Sequence, residues 1–90
     1  MDPNVFEHAL RHAGFSEVET KTLPAGMANT AHAHAFEVRA LVLDGDITLT
    51  ADGERRTYGP GEVFTMAAGR EHAEQVGQAG VRYLVGRKPA

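Results

Sequence analysis

Turn-forming residues interrupt this chain at short and regular intervals, and this spacing limits its fold more than any other feature. From Asp44 onward they recur at intervals of about 7–10 residues, close to the spacing of about 8–12 residues that is typical of all-β sandwiches and barrels. Between them apolar and polar residues alternate, as in Ile47 to Thr50. The pattern predicts about eight short strands. The turn signals are Pro24 to Gly26, Asp44-Gly45, Asp52-Gly53, Gly59-Pro60-Gly61, Gly69 and Gly77-Gln78-Ala79-Gly80.

The first segment has a different pattern, with apolar residues spaced by three and four positions. Asp2 can cap a helix, Pro3 suits its first position, and Gly14 suits the residue just past its end. We expect a short helix over about residues 3–13, packed on a barrel over about residues 16–86. Its apolar stripe is Val5, Phe6, Ala9, Leu10 and Ala13.

Composition narrows the classes of function. Ninety residues predict one domain, residues 1–90, and the absence of cysteine excludes disulfides and thiolate metal ligands. A formal net charge of −3 without a basic stripe argues against nucleic acid. No apolar run approaches the roughly 18–20 residues needed to span a bilayer, and Met1-Asp2-Pro3 does not begin a secretory signal. We therefore expect a cytoplasmic protein with no membrane partner.

Three of the five histidines form a candidate metal site. His32 and His34 are two residues apart on a predicted strand, so both imidazoles point to one face. His72 begins a later strand. Imidazole suits a divalent transition metal such as zinc, iron, nickel, manganese or copper. His8 and His12 lie opposite the apolar stripe of the helix, which favours a solvated face.

The spacing around these histidines is specific. Gly26 is followed after five residues by His32-Ala33-His34, and Gly45 follows the pair. After the hairpin, Gly61 is followed by Ala67-Ala68-Gly69 and then His72. In these two ordered motifs, which extend from Gly26 to Val76, the chain resembles the cupin superfamily.

The resemblance implies a fold and a metal-binding role. It implies an all-β, double-stranded β-helix (jelly-roll) cupin barrel with the short helix outside, and a divalent metal bound by the three histidines. Val38 occupies the position at which the family carries a ligating Glu, while Glu37 is one residue early and points to the other face. Glu74 shares a face with His72, so Glu37 and Glu74 are additional candidate ligands. Some cupins, including thiol dioxygenases, use three histidines alone.

The strands around the histidines predict a pocket for a small molecule. Inward-facing positions next to the site are apolar or aromatic, which suits a small, mostly apolar ligand with one polar group on the metal. Leu41 and Leu43 are expected to point outward, and such exposed apolar residues favour a homodimer. The predicted pocket residues are Phe36, Val38, Phe64, Met66 and Tyr83.

The predicted function is therefore a metal-binding small cupin that binds a small molecule. Oxygenation and isomerisation are the reactions that the resemblance implies for an enzyme. A non-catalytic ligand-binding or sensing module is the alternative, and a structural cupin with vestigial histidines is a third. The sequence names no catalytic residue.

Overall fold

The computed structural model describes residues 1–89, which form one helix and six strands in antiparallel pairs. No described helix has the length and apolar character needed to cross a membrane. The elements are α1 (Pro3–His12), β1 (Ser16–Leu23), β2 (Ala28–His32), β3 (Phe36–Ala51), β4 (Glu54–Tyr58), β5 (Val63–Met66) and β6 (His72–Pro89).

Strands β3 and β6 are long, and each takes part in two sheets. The second half of β6 pairs with β1 and with the first half of β3, which in turn pairs with β5. The first half of β6 pairs with β2 and with the second half of β3, which pairs with β4. Two sets of four strand segments therefore face each other, and the predicted all-β jelly-roll barrel with its short helix is confirmed.

Two of the predicted turns lie inside strands. The sequence predicts breaks at Asp44-Gly45 and at residues 77–80, whereas β3 and β6 continue through both positions. The pairing register shifts on either side of Gly45, and this residue has a φ of +72°. A side chain at Gly45 would overlap the carbonyl oxygen of Gly80. The turn residues at these two positions therefore mark β-bulges, where each long strand bends from one sheet into the other.

Alternation along the first half of β3 divides its side chains between two cores. Ala40 and Val42 face the interior between the sheets, while Leu41 faces outward into a second cluster beneath α1. Leu41 is only 1% exposed, so the expectation of an exposed Leu41 is wrong. The helix covers it together with Phe15 and Leu84. The homodimer stays a prediction, and Leu41 no longer supports it because this residue is buried within the chain.

The helix is fixed at both ends and docks through two residues. The Asp2 carboxylate accepts a hydrogen bond from the backbone N–H of Asn4 at 2.7 Å. At the other end the backbone N–H of Phe15 donates to the carbonyl of Leu10 at 2.9 Å. Phe6 and Leu10 are buried, whereas Val5 is 62% exposed and Ala9 and Ala13 are also exposed. The apolar stripe is therefore narrower than predicted.

The C-terminal strand extends beyond the predicted barrel. The sequence predicts a barrel that ends at about residue 86, but β6 continues to Pro89. Arg87 pairs with Ser16 of β1 and with Val38 of β3. Arg87 is therefore held by strands on both sides, whereas Lys88 and Pro89 pair with β3 alone.

We expect Leu10→Ala to lower the free energy of unfolding by about 2–5 kcal/mol, because it removes a fully buried side chain. Val5→Ala is the matched control on the same helix, and its effect is expected to stay within about 0.5 kcal/mol. Urea unfolding followed by circular dichroism measures both. Equal losses for the two variants would contradict the docking of α1 through Leu10.

Candidate metal centre

The three histidines come from two strand ends that lie side by side. His32 is the last residue of β2, His72 is the first residue of β6, and the two are register partners. His34 lies just past the end of β2, where its carbonyl accepts a hydrogen bond from the backbone N–H of Gly69 at 2.8 Å. This bond joins the turn before β6 to the chain after β2, so the predicted trio is brought together.

The imidazoles form a compact group. One potential ligand atom from each ring lies within 4.8 Å of the other two. The ring centroids are 4.4 Å apart for His32 and His72, 4.8 Å for His32 and His34, and 5.2 Å for His34 and His72. His72 is buried, with 4% of its surface exposed, and the other two are half-buried.

Backbone carbonyls orient two of the three rings. Nδ1 of His32 lies 2.8 Å from the carbonyl oxygen of Thr30, and Nδ1 of His72 lies 3.0 Å from that of Arg70. A carbonyl only accepts, so each Nδ1 carries the proton and donates it. The lone pair of Nε2 is then free to bind a metal. The ring of His34 stacks on Phe36 instead, with centroids 4.8 Å apart and planes at 15°.

The surroundings favour the neutral form of His34. Burial lowers the pKa of this ring, and the neighbouring His32 and His72 lower it further. Glu74 acts in the opposite direction and raises it, while Arg87 lowers it. A lowered pKa keeps the imidazole unprotonated near neutral pH, which is the state that binds metal ions.

This donor set fits a divalent transition metal. Nitrogen ligands lie about 2.0–2.1 Å from zinc, which places two tetrahedral ligand atoms about 3.4 Å apart. The candidate ligand atoms of His32, His34 and His72 lie within 4.8 Å of one another, so a metal would draw them closer together. Three protein ligands leave a coordination position open, as in catalytic metal sites.

The two acidic candidates are in different places. Oε1 of Glu74 lies 3.9 Å from Nε2 of His32 and accepts a hydrogen bond of 3.0 Å from the Asn29 amide. Glu37 lies 3.9 Å from Nη2 of Arg39 and does not line the cavity beside the histidines. The structure therefore brings Glu74, but not Glu37, to the three rings.

A cavity of about 420 Å³ opens beside the histidines. Its volume is that of a small-molecule site, and its wall combines apolar and polar side chains. All five residues that the sequence suggests for the pocket contribute to its wall: Phe36, Val38, Phe64, Met66 and Tyr83.

Sequence reasoning missed four polar residues of the same cavity, namely Lys21, Asn29, Thr30 and Arg87. Arg87 continues the alternation of Tyr83 and Val85, so the period of two would have placed it inside had the strand been extended. Lys21 depends on the register between β1 and β6, in which it partners Tyr83. No local pattern in the sequence reveals that pairing.

Solved structures resemble this chain in fold. The first is a structural genomics protein of unknown function from Rhizobium leguminosarum bv. viciae 3841, with a TM-score of 0.76 and 23% identity over 81% of this chain and 69% of that one. KdgF from Halomonas sp. has a TM-score of 0.71 and 19% identity over 81% and 67% of the two chains. Oxalate decarboxylase of Bacillus subtilis, which has Mn(II) centres, has a TM-score of 0.68 and 21% identity, but only 20% of its length is covered against 80% of this chain.

The family itself is identified by sequence. A comparison with curated proteins finds no match. The family model for the cupin domain matches residues 19–85, which include all three histidines and most of the barrel. This chain belongs to the cupin family.

Proposed function

We propose that this cupin binds a divalent transition metal through His32, His34 and His72 and takes a small molecule into the adjoining cavity. The convergence of three imidazoles from two separate segments, within 4.8 Å of one another, carries the proposal. Backbone bonds to His32 and His72 present the correct nitrogens, so little reorganisation is needed for binding. The donors suit zinc, iron, nickel, manganese or copper, and cellular supply decides among them.

A bound metal would act as a Lewis acid on a polar group of the ligand at the open position. Three neutral imidazoles leave the full charge of the ion in place, which favours an anionic or strongly polar group there. The chain's own contribution is to hold and enclose the ligand. Phe36, Val38, Phe64 and Met66 supply an apolar wall that excludes water from part of the cavity.

Glu74 is the proton acceptor that we assign to this site. Its carboxylate lies beside His32 and is 17% exposed, and the Asn29 amide fixes one of its oxygens. A carboxylate held at this distance can take a proton from a ligand bound in the cavity. This feature favours an enzyme, with oxygenation or isomerisation of a small molecule as the reaction, over a non-catalytic module.

Tyr83 is assigned as a hydrogen-bond donor to the ligand. Its side chain is buried in the cavity wall. Burial, and then the negative charge of Glu74, raise the pKa of the phenol to about 12. The hydroxyl therefore remains protonated across the physiological range and can donate to an oxygen of the ligand.

Oxygen consumption distinguishes an oxygenase from the non-catalytic alternative. Iron-loaded protein is supplied with a panel of small thiols and phenols while dissolved oxygen is recorded. Uptake that depends on His72 supports an oxygenase, whereas tight ligand binding without turnover supports a sensing module. The homodimer and the cytoplasmic location stay predictions, and light scattering of the purified protein tests the first.

Metal content tests the proposed function directly. We expect untagged protein to carry close to one equivalent of a transition metal, measured by inductively coupled plasma mass spectrometry. His34→Ala and His72→Ala should lose the metal. Removing a residue that only hydrogen-bonds to a ligand costs about 10–100-fold in metal affinity, and removing a ligand itself should cost at least as much.

The matched control for this experiment is the double variant His8→Ala/His12→Ala. It removes two imidazoles, one more than either cavity variant, from an exposed helix face and should keep the metal. Metal that survives both cavity substitutions but is lost from the helix variant would contradict the proposed site.

Glu74→Gln is expected to retain the metal, because the three imidazoles form the ligand set and Gln preserves the shape of the side chain. Metal stoichiometry and the visible absorption of the cobalt(II)-substituted protein measure this. A changed cobalt spectrum together with loss of metal would show that Glu74 is a fourth ligand.

The phenol of Tyr83 should ionise near pH 12, above the ordinary value of 10.0 for tyrosine. Since the unfolded chain ionises first, the free energy of unfolding should fall as pH rises from about 10 to 12. Absorbance at 295 nm follows the ionisation, and Tyr83→Phe should remove the step near pH 12. Ionisation of Tyr83 near pH 10 in the folded protein would contradict its burial.

A further inference from the structure

Two cations lie in the wall of the metal cavity, on neighbouring strands. Along β6 the period of two places Tyr83, Val85 and Arg87 on the inner face. Lys21 of β1 is the register partner of Tyr83, and it also lines the cavity. The proposed metal chemistry uses neither Lys21 nor Arg87.

Arg87 is held in place while part of its guanidinium remains available. Its side chain is 21% exposed, and Nη1 donates to Oε2 of Glu19 at 3.3 Å. Within residues 1–89, Nε and Nη2 donate no further hydrogen bond. Glu19 thus fixes one branch of the fork without occupying the other donors, which leaves the geometry that binds a carboxylate through two parallel hydrogen bonds.

The guanidinium is one aromatic ring away from the metal ligands. Its carbon lies 5.6 Å from the centroid of the Phe36 ring, and the same ring stacks on His34 at 4.8 Å. A short ligand could therefore touch the metal with one end and Arg87 with the other.

With a metal bound, the charges in the cavity favour an anion. Lys21 and Arg87 contribute two positive charges, and Glu74 and the adjacent Glu19 contribute two negative ones. Glu74 is engaged by Asn29 beside His32, and Glu19 by Arg87. A metal held by three neutral imidazoles adds its full charge, so the loaded cavity has an excess of positive charge.

We propose that the ligand of this cavity carries a carboxylate besides its metal-binding group, and that Arg87, assisted by Lys21, binds that carboxylate. The ligand class is then a short-chain dianion, with one anionic or polar group on the metal and the second on the guanidinium. This inference rests on the proposed metal site, and it makes Arg87 the residue that selects the ligand.

Matched pairs of acids test the selection. Metal-loaded protein is titrated by calorimetry with succinate against butanoate, glutarate against pentanoate and adipate against hexanoate. Each pair has equal carbon number and differs by one carboxylate. At least one diacid should bind about tenfold more tightly than its monoacid, since a bidentate pair with arginine is among the stronger polar contacts.

Substitutions test whether Arg87 causes the preference for diacids. Arg87→Gln should reduce the diacid preference to near unity, and Arg87→Lys should retain part of it, because charge remains but the fork is lost. Arg82→Gln is the control, since Arg82 lies on the same strand and pairs with Asp44 at 2.6 Å but does not line this cavity. That variant should keep the full preference.

The outcomes separate this inference from the proposed function. Metal content is measured for every variant, and a parent protein without metal would overturn the proposed site itself. A parent that holds metal yet prefers no diacid, or whose preference survives in Arg87→Gln, would overturn the role of Arg87 alone. If Arg87→Gln fails to fold, Arg87→Lys decides, because an undiminished preference there would also contradict recognition by the fork.

Discussion

The pairing between β3 and β6 is the interaction on which this structure depends. These two strands run side by side through both sheets, and every other strand pairs with one of them. Both must bend at the same level, where Gly45 pairs with Val81 and the backbone of Gly80 approaches too closely for any side chain at Gly45. The bend turns a flat ladder into a barrel with an interior. Without it, the two ends of the site would not face one cavity.

The site combines residues from both ends of β6. His72 and Glu74 lie in its first half, while Tyr83 and Arg87 lie in its second half beyond the bend. The first half provides a proposed metal ligand and the proposed proton acceptor, and the second half provides the proposed contacts to the small molecule. Because one strand carries both sets, its register against β1, β2 and β3 fixes the cavity as a whole. Fold and site are therefore specified by the same backbone pairings.

Much of this arrangement could be predicted from local patterns. Alternation predicts that Val38 and Glu37 face opposite sides of the strand, and in the structure Val38 lines the cavity while Glu37 lies beside Arg39. The spaced glycines and histidines correctly predict a cupin barrel, as the family match confirms. Local patterns fail where a tertiary contact decides the outcome. An Asp-Gly pair indicates either a reversal or a bulge, and only the partner strand distinguishes them.

The remaining differences have the same origin. The burial of Leu41 depends on where α1 docks, and the order of residues 87–89 depends on strands that lie far away in the sequence. The ring orientations of His32 and His72, in contrast, depend on local contacts. Nδ1 of each ring bonds to the carbonyl of the residue two positions earlier. Each of these two imidazoles thus has the carbonyl that orients it within a three-residue stretch of the chain. Both stretches could therefore be grafted together. At register-paired strand ends of another barrel, they would transfer the orientation of the two imidazole rings as well as the residues.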